Sequence, residues 1–228
     1  MKHPHLQNRA TQRTSEAAGR LRERILSLLL ESKGPRTAYD LAKAAGATLA
    51  YGYAYVGKLE AEGFLEGTKV VRPAELIDYW QSIREKPRVI EFFVPNPVGL
   101  LVPTPKAPYA STTYLAESRL HHYLMPVRWD LYVREVDVED WMTACKHLGG
   151  LRGPGNLRLL VGDPWIPENP FETRHGFAPS TGTDPLKWVG DPRLVLDLRT
   201  EGALCVEAAE LIMKSRGWTR RTRMRKRS

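Results

Sequence analysis

The stretch ATLAYGYAYVGKLEAEG, residues 47–63, decides how the front of the chain is read. It sets Tyr51, Tyr53 and Tyr55 at alternate positions and adds Gly52 and Gly57, in a segment whose leucines and alanines otherwise spell a helix. Inside a helix glycine costs about 1 kcal/mol relative to alanine, so these residues need a reason outside helix propensity. Thr48 precedes the apolar run and is the expected N-cap. On a 3.6-residue repeat, Leu49, Tyr53, Val56 and Leu59 share the side expected to pack. Thr48, Tyr51, Tyr55, Lys58 and Glu62 run down the side expected to face outward.

The flanks supply the rest of a small domain. Upstream, AGRLRERILSLLLESK (18–33) places Leu21, Ile25, Leu28 and Leu29 on one helical face, and Gly34 and Pro35 stop it. TAYDLAKAAG (37–46) opens with Thr37 three residues before Asp40, the spacing of a capping box, and closes on Gly46. Downstream of Gly63, FLEG and TKVVR are short apolar runs around Gly67 and Thr68, the pattern of a tight hairpin. Three helices and a hairpin predict a winged helix-turn-helix over residues 18–72, behind a basic, flexible arm at 1–17.

In a helix-turn-helix the second helix of the pair lies in the major groove. Tyr51 and Tyr55 offer hydroxyls for phosphate or base edges and rings for sugar or a thymine methyl, while Gly52 and Ala54 let the backbone come close. Tyr53 is assigned to the core. Lys69 and Arg72 lie on the wing, where they reach phosphates or the minor groove. The expected DNA-contacting set is Arg36, Thr37, Thr48, Tyr51, Tyr55, Lys58, Lys69 and Arg72.

PAELIDYWQSIRE follows as a helix with Pro73 in its first turn, read as a linker over 73–86. Beyond it, RVIEFFV and VGLLV read as strands, TPKAPYAS as a loop, residues 112–124 as a helix, VRWDLYVRE as a strand, VEDWMTACKHLGG as a helix ending at Gly149, and LRLLVGD as a strand. Residues 162–191 lack periodicity and read as a long loop. DPRLVLDLRTEGALCVEAAELIMKS closes with two helices, the first capped by Asp191 and the pair broken at Gly202. The fold class is α+β, with a mixed α/β domain over 87–215 and a basic, disordered tail over 216–228.

Charge is concentrated at that tail. Of a net charge of +8 over 228 residues, all is supplied by residues 214–228, which hold eight bases and no acid. Arg220, Arg221, Arg223, Arg225, Lys226 and Arg227 are candidates for nucleic-acid backbone contact, solubility being the alternative role. Two cysteines provide no disulfide framework. The start of the chain has no apolar leader and no later segment has the length of a membrane span, so a soluble, cytoplasmic protein is expected.

Catalytic and metal patterns are weak. Gly149 and Gly150 followed by Asp163 echo a nucleotidyltransferase, but two-metal chemistry needs paired carboxylates and position 165 is tryptophan. Cys145 with His147, and His121 with His122, lack a ligand spacing, and GPGN at 153–156 reads as a turn. No catalytic residue, cofactor or metal is expected.

LAYGYAYVGKLEAEGFLE in the front domain, YASTTYLAESRLHHYL, and the closing DPRLVLDLRTEGALCVEAAELI with Leu194, Asp197, Leu198, Gly202, Glu207, Ala208 and Ala209 together resemble the AbiEi family of antitoxins from type IV toxin–antitoxin systems, over most of residues 18–215. The resemblance implies a transcriptional regulator whose winged helix binds repeats in its own promoter double-stranded DNA. It also implies a C-terminal domain that counteracts a nucleotidyltransferase-like toxin without a stable complex. The alternative is a nucleic-acid-processing enzyme, or an RNA-binding factor that uses the basic tail.

Overall fold

A computed structural model describes residues 4–31, 36–100, 107–169, 174–176 and 186–220. The protein is mixed α and β, and its chain divides into two compact units, one of Met1–Glu85 with Met213–Ser228 and the other of Lys86–Ile212.

In the first unit α1 runs Pro4–Glu31, α2 Ala38–Ala45, α3 Leu49–Ala61 and α4 Pro73–Ile83, and β1 (Leu65–Glu66) pairs antiparallel with β2 (Lys69–Val70). The helix α1 begins at Pro4 where a flexible arm to residue 17 was the expectation. Residues 7–20 include three Ala, two Gln and three Arg, good helix formers whatever face they occupy. The Gly34–Pro35 stop lies outside the described residues.

Local chemistry sets the element ends. Thr37 Oγ1 accepts from the Asp40 amide at 3.1 Å while Asp40 Oδ2 accepts from the Thr37 amide at 3.3 Å, closing the capping box on α2. At the other end Gly46 takes φ 70°, and Arg24 Nη1 donates to the Ala45 carbonyl at 3.0 Å. The hairpin turns at Gly67 and Thr68, with Leu65 opposite Val70 and Glu66 opposite Lys69. Trp80 on α4 is buried and donates to Glu23 Oε2 of α1 at 3.2 Å, and Glu23 Oε1 accepts from the Glu85 amide at 2.8 Å. Those contacts make α4 part of the first unit, where a linker was expected.

The second unit is built on a seven-stranded mixed sheet. Its strands are β3 (Arg88–Phe93), β4 (Tyr109–Thr112), β5 (Trp129–Val133), β6 (Leu151–Arg152), β7 (Leu157–Val161), β8 (Arg174–Gly176) and β9 (Leu186–Trp188), in the order β6-β3-β7-β5-β4-β9-β8. The helices are α5 (Thr113–Leu120), α6 (Val138–His147), α7 (Trp165–Glu168), α8 (Asp191–Glu201) and α9 (Ala203–Ser215), whose last residues, from Met213, are counted with the first unit. Ile90, Phe92, Trp129, Leu131, Val133, Leu157 and Leu159 form one apolar core with Val138, Trp141 and Cys145 of α6. Alternation sends Asp130 and Tyr132 to the opposite face, where both bond side chains of α8 or its sheet neighbours.

Several sequence expectations are corrected. VGLLV is no strand in its described part: Pro97–Leu100 forms a 3-10 turn. Tyr109–Thr112 is β4 rather than loop, because it finds partners on both sides in β5 and β9. The expected loop 162–191 contains α7, β8 and β9, whose order comes from docking to each other and to the sheet rather than from periodicity. Asp191, expected as the cap of α8, lies in its first turn behind an N-cap at Gly190. Among the described residues no helix is long and apolar enough to cross a membrane.

Candidate nucleic-acid interface

The geometry of α3 reverses the expected assignment of its tyrosines. Gly52, Tyr55, Val56 and Leu59 are its buried side, and Tyr55 is 6% exposed. Tyr51 is half-buried, its hydroxyl donates to the Ala18 carbonyl of α1 at 3.0 Å, and its ring stacks on that of Tyr55 with centroids 6.2 Å apart. Burial, then the neighbouring Tyr79 phenol, holds the Tyr55 hydroxyl protonated well above the ordinary tyrosine range. Both expected contact residues therefore serve the packing of α3 against its neighbours. Tyr53, assigned to the core, is 57% exposed, and Leu49 is 46% exposed.

Periodicity alone does not separate the two arrangements. Tyr53 and Tyr55 are equally apolar, and Gly52, which has no side chain, does not register as an interior position in a hydrophobic pattern. The deciding contact is tertiary: a Cβ on Gly52 would lie 2.4 Å from the Ala42 Cβ, so α2 approaches α3 closely only because position 52 is glycine.

The outward side carries Leu49, Ala50, Tyr53, Ala54, Gly57, Lys58, Glu60 and Ala61, with Glu60 Oε1 taken up by the Gly67 amide at 2.7 Å. It is a low strip with one large ring, one cation and one acid. A Cβ on Gly57 would meet nothing within 4 Å, so no internal contact requires glycine there. At the head of the helix Thr48 Oγ1 accepts from the Tyr51 amide at 3.3 Å, confirming the expected cap.

The remaining candidates divide between structure and surface. Arg72 is a structural residue: Nε donates to the Gly63 carbonyl at 2.7 Å, Nη2 donates to the Glu62 carbonyl, and the guanidinium lies 5.0 Å from the Phe64 ring centroid. Its charge is spent on the orphan carbonyls at the end of α3. Thr37 is engaged in the α2 cap, with Arg36 beside it, half-buried. The Thr37 hydrogen bonds, helped by the fields of Arg36 and Lys43, hold the Asp40 carboxyl below its ordinary pKa. Lys58 is exposed and pairs with Glu62 at 3.7 Å, one turn on. Lys69 is exposed on the hairpin. Arg220 is described and pairs with Asp78 at 2.7 Å, whereas Arg221, Arg223, Arg225, Lys226 and Arg227 lie outside the described residues.

The second unit holds a polar cluster that sequence reading misses. Asp130 is fully buried, and its Oδ1 accepts from Arg128 Nε at 2.9 Å and from Arg158 Nε at 2.7 Å. Thr113 Oγ1 also donates to it. Both arginines reach Glu201 at the end of α8, Arg128 at 2.5 Å. One turn earlier, Asp197 accepts from Thr112 at 2.5 Å and from Tyr132 at 3.0 Å. Burial pushes the Asp130 carboxyl upward, but the two guanidiniums outweigh it and hold the group below its ordinary value. Two carboxylates matched by two guanidiniums make a fastening of α8 to the sheet. The available signal was Asp130 inside the apolar run WDLYV, which demands a partner once buried.

Gly149 sits at φ 73° after α6, and Asp163 Oδ1 accepts from the Trp165 amide at 3.2 Å in a local turn. Burial lifts the Cys145 thiol to about 11, leaving it protonated at neutral pH. Among the described residues no group of three His, Cys, Asp or Glu side chains is placed to hold a metal ion. No protein-family model, curated protein or solved structure matches the chain.

Proposed function

We propose that α1–α3 and the β1–β2 hairpin constitute a winged helix-turn-helix, that α3 enters the major groove of duplex DNA by its outward side, and that the protein is a transcriptional regulator. The observation that carries this reading is Gly57. A glycine in the middle of an exposed helix destabilises it by about 1 kcal/mol, and no atom of the described chain lies where its Cβ would be. Flanked by Ala50, Ala54 and Ala61, it gives the helix a face that an external surface can approach to backbone distance. Tyr53 at the centre of that face supplies a ring for a thymine methyl and a hydroxyl for a base edge or phosphate. Lys58 and Lys69 supply the nearby positive charge.

The resemblance to AbiEi antitoxins extends the proposal: the DNA is the promoter of the protein's own gene, and the second unit counters a nucleotidyltransferase-like toxin without itself catalysing a reaction. Binding of the full chain to duplex DNA from upstream of its gene tests the first part. Tyr53→Ala should weaken preference for the best site by about 1–3 kcal/mol per lost base contact, and Gly57→Gln should weaken it by obstruction, while Tyr55→Phe should bind as wild type. If Tyr53→Ala and Gly57→Gln both keep wild-type selectivity, α3 is not the reading element. Rescue of growth on co-expression with a toxin gene adjacent to this one tests the antitoxin role.

A further inference from the structure

The outward side of α3 is chemically uniform over its leading turns. From Thr48 to Gly57 the exposed residues are Thr48, Leu49, Ala50, Tyr53, Ala54 and Gly57, and none is charged or carries a side-chain amide. Leu49 and Tyr53 are the large ones, both exposed and one turn apart. The polar groups around them have partners: Thr48 Oγ1 accepts from the Tyr51 amide, Lys58 pairs with Glu62, and Glu60 Oε1 accepts from the Gly67 amide. Among the described residues of this side the Tyr53 hydroxyl remains. A hydroxyl both donates and accepts, so it does not tell one base edge from another.

The major groove is read by chemical type. Guanine is specified by the paired donors of Arg or Lys, adenine by the amide of Asn or Gln, cytosine by the carboxylate of Asp or Glu, and thymine by apolar contact with its C5 methyl. The leading turns of α3 hold only the last of these. We infer that α3 selects its site through thymine C5 methyl groups, with Leu49 and the Tyr53 ring as the selecting side chains. The inference rests on the DNA-binding reading above and adds to it the base class that is recognised. Residues four apart are separated by about 6 Å along a helix and base pairs stack about 3.4 Å apart, so Leu49 and Tyr53 address methyls on different base pairs. Lys43 on α2 and Lys69 on the hairpin are exposed and supply charge for phosphates, contacts that set register without reading sequence. Methyl selection has a further consequence for cytosine. 5-Methylcytosine presents its methyl at the same place in the groove as thymine, so methylation turns a rejected pair into an accepted one at these positions.

The test uses the full chain and the duplex that it enriches from a random-sequence pool. Each thymine of that duplex is replaced in turn by uracil, which lacks only the methyl, by cytosine opposite guanine, and by 5-methylcytosine opposite guanine. At the base pairs facing Leu49 and Tyr53, uracil should weaken binding about four-fold each, the worth of one buried methyl. At the same pairs 5-methylcytosine should bind about four-fold more tightly than cytosine. Leu49→Ala should abolish the uracil effect at one of these pairs and Tyr53→Ala at the other, while Tyr53→Phe should keep both. Loss of folding would not produce that pairing of one side chain with one methyl. An enriched site without thymine, uracil without effect at every thymine, 5-methylcytosine no better than cytosine, or uracil effects unchanged in both alanine variants would each overturn the inference while leaving DNA binding intact. Failure of the full chain to enrich or bind any duplex would overturn the DNA-binding reading itself.

Discussion

Gly52 and Gly57 stand five residues apart on α3 and answer to different neighbours. Gly52→Ala drives a methyl to 2.4 Å from the Ala42 Cβ, so it should destabilise the first unit by about 1–3 kcal/mol through overpacking. Gly57→Ala enters open space and should stabilise it by about 0.5–1 kcal/mol through helix propensity. Thermal unfolding of the two variants gives opposite signs if the packing of α2 on α3 is as described. At Asp130 the test is pH. Its folded pKa is depressed by Arg158 and Arg128, so the stability it contributes is present above the unfolded carboxylate value and is lost as pH falls through the lower folded one. Asp130→Asn should cost about 2–4 kcal/mol near neutrality, where it leaves two partly buried guanidiniums short of an anion. In urea titrations the gap between wild type and this variant should close as pH drops below about 4; a gap that stays constant would mean the carboxylate's charge is not what fastens α8.

At the scale of elements, helix ends explain what isolated surface cations do not. Arg72 was legible as a basic residue at the end of a predicted strand, which suits a phosphate contact. In the fold it turns back onto the Glu62 and Gly63 carbonyls and the Phe64 ring, joining the end of α3 to the end of the hairpin. Arg72→Met keeps an apolar stem but loses the donors, and should lower stability by about 1–3 kcal/mol while leaving unchanged the duplex affinity proposed for the folded protein. A variant of undiminished stability but weakened binding would return Arg72 to the interface. The hairpin is tied to α3 a second time by the Gly67 amide, which donates to Glu60 Oε1 at 2.7 Å, so hairpin and helix form one element. On the sheet, α8 is held by Asp197 and Glu201 as well as by its leucines, which is why that helix is buried from Asp191 to Leu198 despite its charges.

For the whole molecule, the division of the chain into two units makes a prediction about where a change is felt. Trp218→Ala should cost about 3 kcal/mol, and hydrogen exchange should speed in α1 and α4 while β5 and β7 keep their protection. Faster exchange in the sheet instead would contradict the grouping of residues 213–228 with the first unit. Much of the architecture needed no tertiary information: α2 and its capping box, the Thr48 cap, the Gly67–Thr68 hairpin, the Pro73 helix start, and strands β3, β5 and β7 follow from side chains acting on backbone within a few residues. Such local chemistry is present in the sequence in full. Which side of α3 faces out was decided by the approach of Ala42 to Gly52, the role of Arg72 by carbonyls across the hairpin, that of Asp130 by Arg158 on a neighbouring strand, and the strand β9 by a sheet edge supplied by β4. In each case two readings are equally apolar or equally charged along the chain, and only the position of a distant neighbour makes their energies differ.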